Sequence, residues 1–185
     1  MSAQPALDEI FGLYEKYGKQ EYIGEAISQI EHAAQSAQLA EKNGEEEEVV
    51  LAAFFHDIGH LCDGADMNGY GKKSHEKIGA NYLRTLGFSE KIARLVENHV
   101  QAKRYLCAVK PEYYRKLSEA SKKTLEFQGG VMTREEASAF ERDPLFHLSI
   151  KMRAWDEAAK EENKPLPDLK IYREMAERHL KKQLE

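Results

Sequence analysis

Six side chains have the types and the order to hold metal ions: His32, His56, Asp57, His75, His99 and Asp156. A single histidine on a helix is usually structural or exposed, so their meaning lies in the arrangement. His56-Asp57 closes the apolar run Val49 to Phe55. An imidazole and a carboxylate turned toward a core are unfavourable unless something binds them, and a metal ion compensates that loss directly. Asp57 offers two oxygens and so can bridge two ions. His32 lies in an otherwise apolar helical pattern, His75 opens a helix after a glycine-rich stretch, His99 lies on an amphipathic helix, and Asp156 follows Arg153-Ala154-Trp155. Imidazole and carboxylate without cysteine suit iron, manganese or zinc. Four imidazoles and two carboxylates exceed one tetrahedral zinc and match two ions that share a carboxylate.

The elements that must position these residues are helical. Ile10, Leu13, Tyr14 and Tyr17 make one apolar face ending at Gly18, and Ile27 to Ala40 makes another ending near Gly44. Val49, Val50, Ala53, Phe54 and Ile58 form a third, begun by Glu45 to Glu48, whose carboxylates suit a helix N-terminus. Cys62 to Lys73, with Gly64, Gly69 and Gly71, is a loop. Ser74 is an expected N-cap of a helix ending at Gly87, and Ser89 of the helix carrying His99. A helix from about 118 to 127 stops at Gly129-Gly130. Thr133 with Glu136 forms an expected capping box, and Pro144 opens a helix through Trp155. Pro165 and Pro167 mark a linker. The expectation is an all-α fold, a single domain over 1–185 with its core at about 22–160 and a terminal helix at about 168–184.

The composition is ordinary for a globular protein: 185 residues, 42% hydrophobic, 32% charged, net charge −5. No basic stripe of useful length suggests nucleic acid, and no apolar window reaches a membrane span. Cys62 and Cys107 are too few for a disulfide framework and are expected as thiols. The N-terminus lacks the pattern of a signal peptide, so a cytoplasmic protein, a monomer or weak dimer, is expected.

The order of these residues resembles a known family. His32, then His56-Asp57, then Asp156 is similar to the H…HD…D signature of HD-domain proteins, most of which are phosphohydrolases, and His75 and His99 match the dinuclear branch. Tyr22-Ile23-Gly24-Glu25 before Gln29-Ile30-Glu31-His32 resembles one group within it. So do His56 to His60, Gly69-Tyr70-Gly71, His75-Glu76-Lys77, Asn98-His99-Val100, Gln128-Gly129-Gly130 and Arg153 to Asp156. That group is the mixed-valence di-iron oxygenases that cleave carbon–phosphorus bonds, and the resemblance runs from about Tyr22 to His179.

The resemblance implies two iron ions, Fe(II) and Fe(III), with O2 as co-substrate. His32, His56, Asp57 and Asp156 would hold one ion and His75 and His99 the other, with Asp57 bridging. It implies (R)-2-amino-1-hydroxyethylphosphonate as substrate, giving glycine and phosphate, or the trimethylammonium analogue, giving glycine betaine. Tyr22 would hold an iron position until substrate displaces it.

Lys103 is four residues after His99, His60 four after His56, Arg153 three before Asp156, and Ser121 and Thr124 three apart. With Gln128 they are candidate donors to a phosphonate, a dianion with three acceptor oxygens. Glu25, seven residues before His32, faces the metals if the helix starts early enough, and its carboxylate suits the substrate's ammonium. Three rival readings share these residues: an HD-domain phosphohydrolase using a metal-bound water, a non-catalytic metal or ligand sensor, and a structural helical protein with incidental histidines.

Overall fold

The computed structural model describes residues 3–22 and 24–185. Met1, Ser2 and Ile23, the last part of the Tyr22–Glu25 motif, lie outside the described residues. Among the described residues ten α-helices and one 3-10 turn carry the fold, and the only β pairings are isolated bridges, Glu21 with Ser28 and Asp66 with Lys72. The all-α expectation is met. Cys62 and Cys107 are free. Among the described residues no helix is long and apolar enough to cross a membrane.

The centre is α3 (Glu47–Phe55), in which every residue from Val49 to Phe55 is buried. A helix apolar on all sides must be covered on all sides. α2 (Gln29–Lys42), α5 (Glu90–Val109), α9 (Phe146–Ala158) and α10 (Lys170–Gln183) supply that cover. α1 (Gln4–Tyr17) lays Leu7, Ile10, Phe11 and Tyr14 onto the same core, and Phe54 stacks 4.6 Å from Tyr172 and lies 5.0 Å from Tyr14. α4 (His75–Thr85) packs along α5, while α6 (Pro111–Lys116), α7 (Glu119–Phe127) and α8 (Arg134–Glu141) build out from the far end of α5.

Helix ends follow local chemistry. α2 begins with a capping box, Ser28 with Glu31, and α8 with the expected Thr133–Glu136 box. Ser89 and Ser118 each accept a hydrogen bond from the third residue of their helix. Several expectations shift. α2 starts at Gln29, because Ser28 caps it, so Glu25 precedes the helix. α9 starts two residues beyond Pro144, and α6 is an additional helix begun at Pro111. Ser74 stands at the start of α4 but in a left-handed conformation (φ 56°), and its side chain makes no cap.

α3 stops at Phe55, so His60 is not one α-turn beyond His56. It is reached through a 3-10 turn, Ile58–Leu61. Gly59 in that turn lies against the first turn of α4: a Cβ there would sit 1.9 Å from the His75 carbonyl oxygen and 2.9 Å from the Gly79 nitrogen. Only glycine allows this approach.

A contrast of two glycine substitutions tests this packing. Gly59→Ala forces backbone apart and is expected to lower unfolding stability by about 3 kcal/mol or more. Gly12→Ala in α1 meets nothing within 4 Å and is expected to raise stability by about 0.5–1 kcal/mol. Denaturant midpoints of both variants check it.

Candidate functional site

α2 carries His32, the end of α3 carries His56 and Asp57, α4 carries His75 at its first residue, α5 carries His99, and α9 carries Asp156. All six are buried and they converge in two groups. His32, His56 and Asp156 form one, and Asp57, His75 and His99 the other, with the donor atoms of each within 4.8 Å of one another. Asp57 joins the groups. Its Oδ2 lies 3.3 Å from His56 Nε2 and 3.6 Å from His32 Nε2, and its Oδ1 lies 3.2 Å from His75 Nε2 and 3.4 Å from His99 Nε2. Asp156 Oδ1 lies 3.4 Å from His32 Nε2.

Hydrogen bonds behind the rings fix what the rings offer in front. His32 Nδ1–H donates to the Ala159 carbonyl (2.9 Å), His56 Nδ1–H to Ala53 (2.8 Å) and His99 Nδ1–H to Val96 (2.6 Å). A carbonyl only accepts, so each neutral ring carries its hydrogen on Nδ1 and presents a lone pair at Nε2. Yet His32 Nε2 faces His56 Nε2 at 3.0 Å, and His75 Nε2 faces His99 Nε2 at 3.0 Å. The lone pairs of His32 and His56, so close, repel unless a proton or a metal ion lies between them. Metal–nitrogen bonds of ~2.1 Å put two ligand atoms ~3.0 Å apart at right angles and ~3.4 Å apart in a tetrahedron. The residues therefore fit two metal ions.

His75 differs from the other three. Among the described residues its Nδ1 has no hydrogen-bond partner, and Glu76 Oε2, 3.8 Å away, has none either. His60 has the opposite tautomer. The Lys72 backbone N–H donates to His60 Nδ1 (3.1 Å), so the hydrogen sits on Nε2, 4.0 Å from Asp57 Oδ1. His60 thus presents a donor toward the cluster, stacked on the His75 ring at 3.9 Å.

The electrostatics agree with a paired cluster. Burial pushes Asp57 and Asp156 up, but His56 beside Asp57 and Arg153 beside Asp156, with further hydrogen bonds, hold both well below the usual carboxylate range. Burial, then the His75 charge, holds His60 well below the ordinary imidazole value, so it is neutral. Burial, then Asp156 and Asp57, raises the Tyr22 phenol far above its usual value.

A cavity of about 70 Å³ opens beside the cluster. Tyr22, Glu25, His60, Lys103, Ser121, Thr124, Gln128 and Arg153, the substrate-contact and catalytic candidates of the sequence, all line it, together with Asp57, His75, His99 and Asp156. Tyr22 stacks on the His32 ring at 3.9 Å. Lys103 Nζ donates to Thr124 Oγ1 (2.7 Å) and Gln128 Oε1 (3.0 Å). Arg153 pairs with Asp156 and Glu157, donates from Nε to the Tyr113 hydroxyl (2.7 Å), and lies 3.4 Å from Ser121 Oγ. Burial, then the nearby Arg153 charge, lowers Lys103 to about 7.

The HD-domain family model matches residues 29–127, more than half the chain. The chain belongs to the HD-domain family. This HD-domain chain is 44% identical over 173 residues to an uncharacterised protein of Acanthamoeba polyphaga mimivirus (91% of this chain, 79% of the relative). It is 40% identical over 178 residues to the glycine-betaine-forming 1-hydroxy-2-(trimethylamino)ethylphosphonate dioxygenase of Leisingera caerulea (95% and 90%). It is 38% identical over 167 residues to the hydroxymethylphosphonate dioxygenase of Gimesia maris (88% and 82%). The matched HD span ends before Arg153, Asp156 and Lys160.

Three lining or supporting residues escaped sequence reasoning. Tyr113 and Glu157 hold Arg153, and Lys160 pairs with Glu25 at 2.8 Å. Glu157 and Lys160 stand at i+4 from Arg153 and Asp156, a helical spacing that was available as a signal. Tyr113 lies forty residues from Arg153 and gave none.

Metal stoichiometry tests the two-group geometry. His75→Ala is expected to reduce bound metal from two ions per chain to one, and Asp57→Ala to weaken both. Elemental analysis after exhaustive dialysis, with circular dichroism to verify folding, reads the outcome.

Proposed function

We propose that this chain is a di-iron, O2-dependent enzyme that cleaves the carbon–phosphorus bond of a small 1-hydroxyphosphonate. One observation carries the reading: a donor set for two metal ions opens directly onto a cavity ringed by Lys103, Arg153, Ser121, Thr124 and Gln128. The two named relatives, both phosphonate dioxygenases, support it.

His32, His56 and Asp156 would hold one iron, His75 and His99 the other, and Asp57 would bridge. When bound, the iron pair supplies one-electron chemistry with O2 and a Lewis-acid seat for substrate oxygens. The balance is closed without a reductant. An R–CH(OH)–phosphonate and O2 give R–COO⁻, hydrogen phosphate and a proton. The C–P bond and the C–H bond at that carbon break, and one oxygen atom joins carbon and one joins phosphorus.

The protein's own residues position and discriminate. Arg153, held by Asp156, Glu157 and Tyr113, presents a fixed guanidinium to the dianion. Lys103, held by Thr124 and Gln128, supplies the second cation, and Ser121 a hydroxyl. His60 Nε2–H stands ready to donate to a substrate oxygen beside Asp57. Tyr22, a neutral buried phenol stacked on the His32 ring, would yield to substrate.

The test is phosphate release coupled to O2 consumption by iron-loaded, partly reduced protein given 1-hydroxyphosphonates. Equal phosphate release from phosphate esters under strict anaerobiosis would instead identify a phosphohydrolase.

Lys103 gives a pH signature. Its lowered value, about 7, makes it charged below neutrality and uncharged above. Affinity of the metal-loaded protein for a phosphonate dianion is therefore expected to fall as pH rises from about 6.5 to about 9, by up to roughly tenfold, as this cation is lost. Lys103→Met is expected to bind more weakly throughout, without that loss. Anaerobic titration calorimetry measures both.

A further inference from the structure

The Glu25 carboxylate was expected to receive a substrate ammonium, but in the structure it already has a cation. Lys160 Nζ donates to Glu25 Oε1 at 2.8 Å, and both line the cavity. The two side chains are only about one-fifth exposed, 21% and 20%, so water screens the pair less than on an open surface.

Lys160 is not a wandering surface lysine. Its backbone lies between two ties to α2. The Ala159 carbonyl accepts from His32 Nδ1, and Gln35 and Glu161 exchange hydrogen bonds of 2.8 and 2.9 Å. The segment leaving α9 is thereby fixed against the helix that carries His32, and the lysine projects from this fixed point to Glu25. The rest of the cavity offers a cationic substrate little compensation. Apart from histidines, its aromatic lining among the described residues is Tyr22 and Tyr70, and Tyr22 is stacked on the His32 ring. A trimethylammonium group needs open aromatic faces and a free carboxylate. A primary ammonium needs the carboxylate and would lie next to Lys160.

We infer that Lys160 is a specificity-determining residue: by neutralising Glu25 it selects 1-hydroxyphosphonates whose other substituent is uncharged and small, hydroxymethylphosphonate being the simplest. This rests on the proposed phosphonate chemistry. The like charge of a substrate ammonium works against binding, whereas a hydrogen or small alkyl group leaves the Glu25–Lys160 pair intact. No covalent step beyond that chemistry is involved.

The test compares hydroxymethylphosphonate, 2-amino-1-hydroxyethylphosphonate and its trimethylammonium analogue on the iron-loaded protein. It uses kcat/KM for phosphate release in O2 and anaerobic calorimetric Kd values. The wild type is expected to favour hydroxymethylphosphonate over either cationic compound by about tenfold or more. Lys160→Met, which frees Glu25, is expected to move the amine-to-neutral ratio at least tenfold toward the amine, and adding Glu25→Gln is expected to abolish that gain. A wild-type preference for a cationic substrate overturns the inference, as does an unchanged ratio in folded Lys160→Met, while the phosphonate chemistry stands. Absence of binding and turnover with all three overturns the chemistry and the inference together. Should Lys160→Met not fold, Lys160→Gln and the wild-type ratio decide.

Discussion

Everything in this structure is subordinate to hydrogen bonds made on the hidden side of three imidazole rings. Because Ala159, Ala53 and Val96 present carbonyl oxygens to Nδ1, the neutral rings of His32, His56 and His99 face the cavity as lone pairs. The fold drives those lone pairs to within 3.0 Å of another ring nitrogen. That arrangement is unfavourable for two neutral rings, and either a proton on His56, favoured by Asp57 and Asp156, or a metal ion relieves it. The acceptors behind the rings are backbone carbonyls, so the orientation is written into the helices themselves. Two of the three carbonyls, of Ala53 and Val96, lie one turn before the histidine they hold, and the third ties α2 to the end of α9.

The same economy of position shows where α3 ends. An unbroken helix through His60 would carry Asp57 round with it and would leave no room for α4. Instead the chain turns at Asp57 into a 3-10 segment, and Gly59 lets the His75 carbonyl come close. The break leaves the two oxygens of Asp57 facing different histidine pairs. It also gives His60 a backbone donor, Lys72, which fixes its tautomer opposite to that of its neighbours. Two histidines four residues apart thus serve in different ways: one offers a lone pair, the other a hydrogen.

Much of this was legible in the sequence. The apolar run Val49 to Phe55 announced a central helix because no polar face interrupts it, and Ser89, Thr133 and the Gly129-Gly130 stop marked helix ends through backbone chemistry that acts locally. His32 and His56-Asp57 were legible because polar groups in apolar patterns demand a partner, whereas His75, His99 and Asp156 were picked out by their order and the family resemblance. What escaped was set by contacts distant in sequence. The break after Phe55 depends on α4 pressing against Gly59, which no local periodicity reveals, and so His60 arrived at the cavity by a route other than a helix face. Glu25 reached the cavity although α2 begins after it, since Ser28 and Glu31 cap the helix there. Its pairing with Lys160 crosses 135 residues, and a carboxylate in a sequence carries no mark of whether a lysine will already hold it.

Two kinds of cation line the cavity, and the difference is physical. Arg153 keeps its charge under all ordinary conditions, and burying it is tolerable because Asp156, Glu157 and Tyr113 surround it. Among the described residues Lys103 is paired with no carboxylate. Its partners are the oxygens of Thr124 and Gln128, so burial next to Arg153 makes its charge conditional. A second permanent guanidinium at that position would carry an uncompensated desolvation penalty in the absence of an anion. A lysine avoids this, because it takes its proton most readily when a dianion arrives to share it. The cavity therefore holds one cation that defines geometry and one whose charge follows the ligand, and both stand on helices that also carry metal ligands, α9 and α5. In the proposed enzyme, a substrate that satisfied Lys103 and Arg153 together would lie against Asp57, and an anion that satisfied only one of them would not.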